Sequence, residues 1–300
     1  MPPHEPDITQ LLVSILLLGV QAGIFAFFVV IASLTYQQFR STWRPALAFG
    51  IFIFILSLPP SILAFAHLDM GKIAPTLPPD SRSIAYVCAV VFGIAILIVC
   101  IPIRGLYLHV AAVEWSRLRG NPPTATTREM LAALAGPRTT RSLSIVVGAI
   151  IGVICAAVTQ FVFHVVHVQE SEAIRQMQQW FPHLEETSAW LTIPSNLGFV
   201  CSAAIFEEMI FRGGILGFLL RITKNHAGLA WLWILLVAGL WSILHVYNSD
   251  HPALKIAQIF LFGIALGYMT RRWGLLSAIA GHLGLNISAF LGAYLFPSLR

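Results

Sequence analysis

Two adjacent glutamates and an arginine stand inside a long apolar run, in the segment FEEMIFRG (206–213). Glu208 and Arg212 are four residues apart, so on a helix they share one face and can form an ion pair. Glu207 points about 100° away on such a helix and lacks that partner. A carboxylate removed from water can accept a proton near neutral pH, as a general base must. The spacing therefore predicts a structural ion pair, Glu208–Arg212, beside a candidate base, Glu207.

Two later apolar runs bring further polar groups into the same surroundings. His245 ends the segment WSILH (241–245), while His282 and Asn286 lie one turn apart in HLGLN (282–286). An imidazole can orient a water molecule or share it with a carboxylate. A second imidazole and a carboxamide can donate hydrogen bonds to the oxyanion of a tetrahedral intermediate. Together these groups suit hydrolysis without a nucleophilic side chain.

Composition indicates that these segments cross a lipid bilayer. Hydrophobic residues make up 57% of the 300 residues and charged residues only 10%, whereas a soluble domain carries about 25% charged residues. We predict an all-α polytopic membrane protein with about eight transmembrane helices. The predicted spans are 8–36, 45–67, 84–110, 143–168, 189–220, 227–247, 254–271 and 274–296. The four cysteines fall inside apolar segments without a CxxC pair, which favours buried thiols over disulfides or a metal site.

The charges alternate along the chain in step with these spans. Basic residues concentrate in the odd-numbered connections: Arg40, Arg44, Arg117, Arg119, Arg128, Arg138, Arg141, Arg221, Lys224, Arg271 and Arg272. Acidic residues concentrate in the even-numbered ones: Asp69, Asp80, Glu170, Glu172, Glu185, Glu186 and Asp250. The positive-inside rule then predicts that both termini lie outside. We expect a multi-pass protein of a prokaryotic cytoplasmic membrane, and the net charge of +5 does not indicate nucleic-acid binding.

A polar, basic connection near residue 142 divides the chain. We interpret residues 1–142 as a three-span accessory region ending in a basic cytoplasmic loop, and residues 143–300 as a five-span catalytic core. The candidate chemistry lies within residues 190–290. For the first three spans, the sequence indicates nothing beyond packing and substrate access. Water must reach Glu207, so we predict a polar cavity between the fifth, sixth and eighth spans, open to the outer side or to lipid.

The three motifs, EEMIFR (207–212), WSILH (241–245) and HLGLN (282–286), resemble in order and spacing those of the CPBP (Abi, or CAAX-protease-like) intramembrane glutamic proteases. These proteases include the type II CAAX prenyl endopeptidases. The resemblance implies a metal-independent peptidase in which Glu207 and His245 activate water. It also implies that His282 and Asn286 form the oxyanion hole. The second motif usually begins with Phe, so Trp241 is a departure, which we expect to change the shape of the pocket more than its chemistry.

The leading hypothesis is an endopeptidase that acts on a membrane-embedded or lipidated protein or peptide, without a cofactor. A structural ion-pair network would also explain the two glutamates. Other functions remain open: a non-catalytic scaffold or immunity factor that retains the fold, or a proton-coupled transporter that uses the intramembrane Glu and His. A catalytic zinc held by Glu and two His is a further alternative, although the HExxH signature is absent.

Overall fold

The computed structural model describes residues 8–73, 78–119, 132, 134, 141–168, 189–246 and 249–295, which form helices and turns without a strand among them. The helices are α1 (Ile8–Leu34), α2 (Tyr36–Ala66), α3 (Met70–Ile73), α4 (Pro79–Leu118), α5 (Arg141–Val166), α6 (Ala189–Glu208), α7 (Gly217–Ile222), α8 (Ala227–Ile243), α9 (Pro252–Trp273) and α10 (Leu275–Leu295). A π-helical segment, Met209–Leu216, continues α6 into α7. Proline at the first position of α4 and α9 suits a helix start, because its missing N–H would have no partner there.

Among the described residues, six helices are long and apolar enough to cross a membrane, by length and composition: α1, α2, α4, α5, α9 and α10. Helix α8 is apolar but shorter, at 17 residues. The run from α6 to α7 carries the charged motif and coincides with the fifth predicted span. The prediction of an all-α polytopic membrane protein is confirmed. Its orientation stays a prediction, because the connections 120–140 and 169–188 lie almost entirely outside the described residues.

Helices α5 and α10 pack closely because small residues face each other. A Cβ atom on Gly152 would collide with the carbonyl oxygen of Gly281. One turn away, a Cβ on Gly148 would collide with the carbonyl oxygen of Ser277. Such contacts between small residues let helix backbones approach in membranes. They fix α10, and with it His282, against the rest of the bundle.

The N-terminal region packs directly on the segment that follows the glutamates. The indole N–H of Trp115, on α4, donates to the carbonyl oxygen of Arg212 at 3.2 Å. A Cβ on Gly213 would come within 2.6 Å of the Cβ of Ala111. The fully buried Glu114 accepts a hydrogen bond from Arg221 on α7. The proposed division near residue 142 stays a prediction, but contacts across it support the π-helical segment.

Candidate active site

The two adjacent glutamates have different surroundings. Glu208 is fully buried, and its Oε1 accepts hydrogen bonds from Arg212 Nη1 at 2.9 Å and from His282 Nδ1 at 3.0 Å. The Arg212 guanidinium is also buried and lies 4.1 Å from the centre of the Trp241 ring. A desolvated cation–π contact of this kind contributes about 2 kcal/mol. Glu208 is therefore engaged in a closed ionic cluster that water does not reach.

Glu207, by contrast, keeps about a quarter of its side chain exposed (27%). Its Oε2 accepts a hydrogen bond from the indole Nε1–H of Trp241 at 2.7 Å. The Nε2 atom of His245 lies 3.8 Å from the same oxygen. That distance exceeds a direct hydrogen bond but lets one water molecule contact both groups. Of the two glutamates, Glu207 is the one that can meet a substrate.

The backbone defines the tautomer of His245. Its Nδ1 lies 2.9 Å from the carbonyl oxygen of Trp241, one turn earlier. A carbonyl oxygen only accepts, so Nδ1 carries the proton in this bond. In the neutral ring Nε2 is then an acceptor, and it faces Glu207. The hydrogen bond at the end of α8 thereby orients the Nε2 lone pair of His245 towards the space beside the Glu207 carboxylate.

Trp241 lies at the centre of the cluster. Its buried ring contacts the rings of His245 and His282 edge to face, with centroids 5.3 and 5.2 Å away. We expected Trp in place of Phe to change the shape of the pocket more than its chemistry, and that stays a prediction; the structure adds that the indole donates a hydrogen bond that a phenyl ring cannot. The sequence signal for this contact was Trp241 at a position where the motif usually has Phe, but the motifs alone do not pair Trp241 with Glu207.

His282 and Asn286 lie on α10, as their motif requires, but they contact different helices. His282 reaches Glu208 through Nδ1. The Nδ2 of Asn286 donates to the carbonyl oxygen of Val200, on α6, at 3.4 Å. The structure thus brings His282 to the glutamate pair and leaves Asn286 one turn away on its helix.

A cavity of about 360 Å³ opens at Glu207. Its lining residues come from α1, α4, the α6–π run and the end of α8: Gln21, Ile24, Tyr107, Phe206, Glu207, Ile210, Phe211, Trp241, Leu244 and His245. We predicted a cavity between the fifth, sixth and eighth spans. Residues of the fifth and sixth spans line the cavity at Glu207, but the prediction that the eighth span lines it was wrong. The first and third spans close it, and neither His282 nor Asn286 lines it. Sequence periodicity gave no sign of this, since the contacts join distant parts of the chain.

Two other features bear on the choice of site. A cavity of about 620 Å³ lies between α2 and α4, around Asp69 and Arg82, away from the three motifs.

Among the described residues, no group of three or more His, Cys, Asp or Glu side chains could hold a metal ion. The motif residues instead form two separate pairs, Glu207 with His245 and Glu208 with His282. This geometry offers a zinc ion no common ligand set.

Comparison with known proteins finds a family model that covers the three motifs. A family model described as type II CAAX prenyl endopeptidase Rce1-like matches residues 188–288, about a third of the chain. The matched segment contains all three motifs and begins after α5. No curated protein and no solved structure matches the chain significantly. The resemblance inferred from the motifs is confirmed for this segment, and at the family level it supports a membrane-embedded endopeptidase.

Proposed function

We propose that the protein is an intramembrane endopeptidase in which Glu207, assisted by His245, activates water to hydrolyse a peptide bond. The observation that carries this proposal is the pairing of a partly open carboxylate with an imidazole lone pair, 3.8 Å apart, at a cavity in an apolar bundle. The family match supports proteolysis, and the geometry supports these two residues as its centre.

In this mechanism a water molecule lies between Glu207 and His245 Nε2. Glu207 takes a proton as the water oxygen attacks the substrate carbonyl carbon, and the carbonyl oxygen becomes an oxyanion. When the intermediate collapses, the carbon–nitrogen bond breaks and Glu207 returns the proton to the leaving amine. Trp241 holds Oε2 in place throughout, which leaves Oε1 free for the proton.

His282 and Asn286 are the proposed oxyanion donors. The Nδ1–H of His282 is already engaged with Glu208, so donation to an oxyanion would come from Nε2–H. That requires a proton on both ring nitrogens while Nδ1–H stays bonded to Glu208. Neither side chain lines the cavity at Glu207, so both must move towards the substrate, and Asn286 would exchange its long hydrogen bond to Val200 for one to the oxyanion. Loss of one such donor typically costs about 10²–10³ in turnover.

The proposed substrate is a membrane-embedded or lipidated protein or peptide. The cavity walls are mostly apolar and aromatic, with Ile24, Phe206, Phe211 and Leu244 among them. An apolar chain would bury its surface there, while the peptide group to be cleaved meets Glu207. The lining leaves the identity of the side chains beside the scissile bond open.

The test compares membranes of cells that express wild type or Glu207→Gln at equal levels. Glutamine keeps the shape and an acceptor for Trp241 but is not a base. We expect peptide termini that appear only with wild type, and cleavage of the identified peptide by purified protein to fall at least about 10²-fold in the variant. Identical termini for both proteins would contradict the proposal.

Glu208→Gln provides the contrast. It weakens the pairing of buried Arg212, so the protein should lose thermal stability, whereas Glu207→Gln should not. If both variants unfold alike, the glutamates form one structural network and the division of roles is wrong. Unchanged termini together with Glu207-dependent proton flux in liposomes would instead favour the transporter.

A further inference from the structure

An arginine of the N-terminal region lies beside the cavity at Glu207, and no acidic residue in the described part of the chain pairs with it. Arg104 is half-buried on α4, three residues before Tyr107, so both side chains project from the same helix face. Tyr107 lines the cavity, and its ring lies 5.3 Å from that of Phe206. The Arg104 guanidinium lies 5.8 Å from the same Phe206 ring. One aromatic side chain therefore separates this cation from the cavity.

The depth of Arg104 follows from the way α4 runs alongside the fifth span. From Trp115 beside Arg212, the contacts proceed through Ala111 beside Gly213 to Tyr107 beside Phe206. Arg104 comes one turn further and still contacts Phe206. Phe206 lies halfway along the helical run 189–222 and directly precedes Glu207. The cation therefore lies at the level of the proposed base along the predicted fifth span.

The neighbours of Arg104 do not compensate its charge. Its hydrogen-bond partner in the described part of the chain is the hydroxyl oxygen of Ser57, at the limiting distance of 3.5 Å. That hydroxyl itself donates to the carbonyl oxygen of Ile53. By contrast, Arg212 and Arg221 each contact a buried glutamate. An ionisable side chain inside a membrane is costly and commonly marks a functional site.

We propose that Arg104 binds a carboxylate of the substrate and so sets the position of the peptide relative to Glu207. The inference rests on the proposed function, because Arg104 lies behind Phe206, which forms part of the wall of the same cavity. Lipid phosphate groups lie about 15 Å or more from the bilayer centre, at the edges of the hydrocarbon core. A carboxylate on a peptide that enters the cavity can come to the level of Arg104, because the peptide and the arginine both lie inside the helix bundle. The carboxylate is either the C-terminus of the peptide or an acidic side chain.

The experiment measures peptide binding to purified protein in nanodiscs, in a Glu207→Gln background so that no peptide is consumed. The probes are one labelled apolar decapeptide as a free acid, the same peptide as a C-terminal amide, and an amidated version with one internal glutamate. We expect a carboxylate-bearing peptide to bind about tenfold more tightly than the neutral amide, as for a charge-assisted hydrogen bond. Whether the free acid or the internal glutamate gives the tighter binding identifies the source.

Arg104→Gln should remove this preference by weakening only the carboxylate-bearing peptide, and Arg104→Lys should retain part of it. The matched control is Arg271→Gln, which makes the same charge change at an exposed arginine bonded to Asn225 and should leave the preference intact. Equal binding of all three peptides would overturn the inference. So would an equal loss for every peptide in Arg104→Gln, which indicates a structural role. A loss that depends on anionic lipid rather than peptide charge would assign the arginine to lipid phosphate and also overturn it.

The binding measurement does not depend on cleavage. If the protein prefers carboxylate-bearing peptides but wild type produces no new peptide termini, Arg104 still binds a carboxylate and the proposed peptidase activity is rejected. Cleavage without any carboxylate preference would retain the peptidase and reject the subsite.

Discussion

At the scale of single residues, adjacent glutamates acquire different chemistry from their neighbours. Glu208 meets a guanidinium and an imidazole in a buried cluster, while Glu207 meets an indole N–H and an imidazole lone pair beside a cavity. A rotation of about 100° around the helix separates closed from open surroundings. The same type of side chain can therefore take a structural role at one position and the proposed proton transfer at the next.

Trp241→Phe tests whether the indole N–H positions the base. Phenylalanine retains an aromatic ring near both histidines but loses the hydrogen bond to Glu207. We expect kcat to fall about tenfold, because a hydrogen bond to a charged group contributes about 1.5–3 kcal/mol and its loss lets the carboxylate rotate. KM should change little, since the substrate contacts remain. Steady-state kinetics on the identified peptide measures both constants.

Trp233→Phe is the matched control on the same helix. It removes an indole hydrogen bond to Thr223 Oγ1, at 3.3 Å, away from the two glutamates. It should leave kcat unchanged. If Trp241→Phe is folded and as active as this control, the indole N–H does not hold Glu207 for catalysis.

At the scale of elements, helix-packing surfaces decide where the functional groups lie. The π-helical segment begins directly after Glu208, and such segments frequently occur at functional sites. Glycines within and directly after this segment let neighbouring helices approach closely. A Cβ on Gly214 would collide with the Phe28 ring, and one on Gly217, the first residue of α7, would come within 2.9 Å of Trp115 Nε1. Close packing by α1 and α4 therefore supports the segment that carries Arg212.

Gly152→Ala tests the α5–α10 contact that positions His282. The added methyl group collides with backbone, which cannot rotate away, so the two helices must separate. Overpacking in a packed interior costs about 1–3 kcal/mol, and we expect the thermal unfolding temperature and the activity to fall together. Thermal unfolding in detergent measures the first effect, and cleavage of the identified peptide measures the second.

Gly19→Ala on α1 is the control, because a Cβ there meets no atom within 4 Å. This variant should keep wild-type stability or gain slightly, since alanine favours a helix more than glycine does. An equal loss in both variants would show that glycine itself, rather than the α5–α10 contact, sets the stability.

The sequence predicted features that depend on short spacings and missed those that depend on packing between distant segments. The four-residue step from Glu208 to Arg212 brings their side chains together on one helix, and apolar run lengths predict the helices. No local sequence pattern predicts the contact of Trp241 with Glu207 or the position of Tyr107 in the cavity wall. They depend on the relative rotation of separate helices, which small residues and shape complementarity determine.

At the scale of the whole molecule, the N-terminal helices belong physically to the site. Gln21 and Ile24 on α1 and Tyr107 on α4 line the cavity at Glu207. The family match begins only at residue 188, so these walls come from a part of the chain that the family model does not describe. Differences in this region are where we expect substrate preference to vary without a change in the hydrolytic residues.

Cysteine labelling tests the predicted orientation. We expect Ser171→Cys, in the acidic connection, to react with a membrane-impermeant maleimide on intact cells. Thr124→Cys, in the basic connection, should react only after permeabilisation, because positive residues favour the cytoplasmic side. The parent protein, whose four native cysteines are free where the structure describes them, provides the background signal. The reverse labelling pattern would invert the topology and with it the side from which the cavity is reached.

Glu114 and Arg221 are separated by 107 residues, so their pair can close only after most of the chain has been synthesised. An acid buried without its partner costs about 3–5 kcal/mol. During insertion, the apolar first half of α4 can enter lipid, while Glu114 keeps its contact with water at the membrane surface. The arrival of α7 then adds Arg221 to a glutamate that Arg117 already contacts at 3.9 Å, and it joins α4 to the second half of the chain.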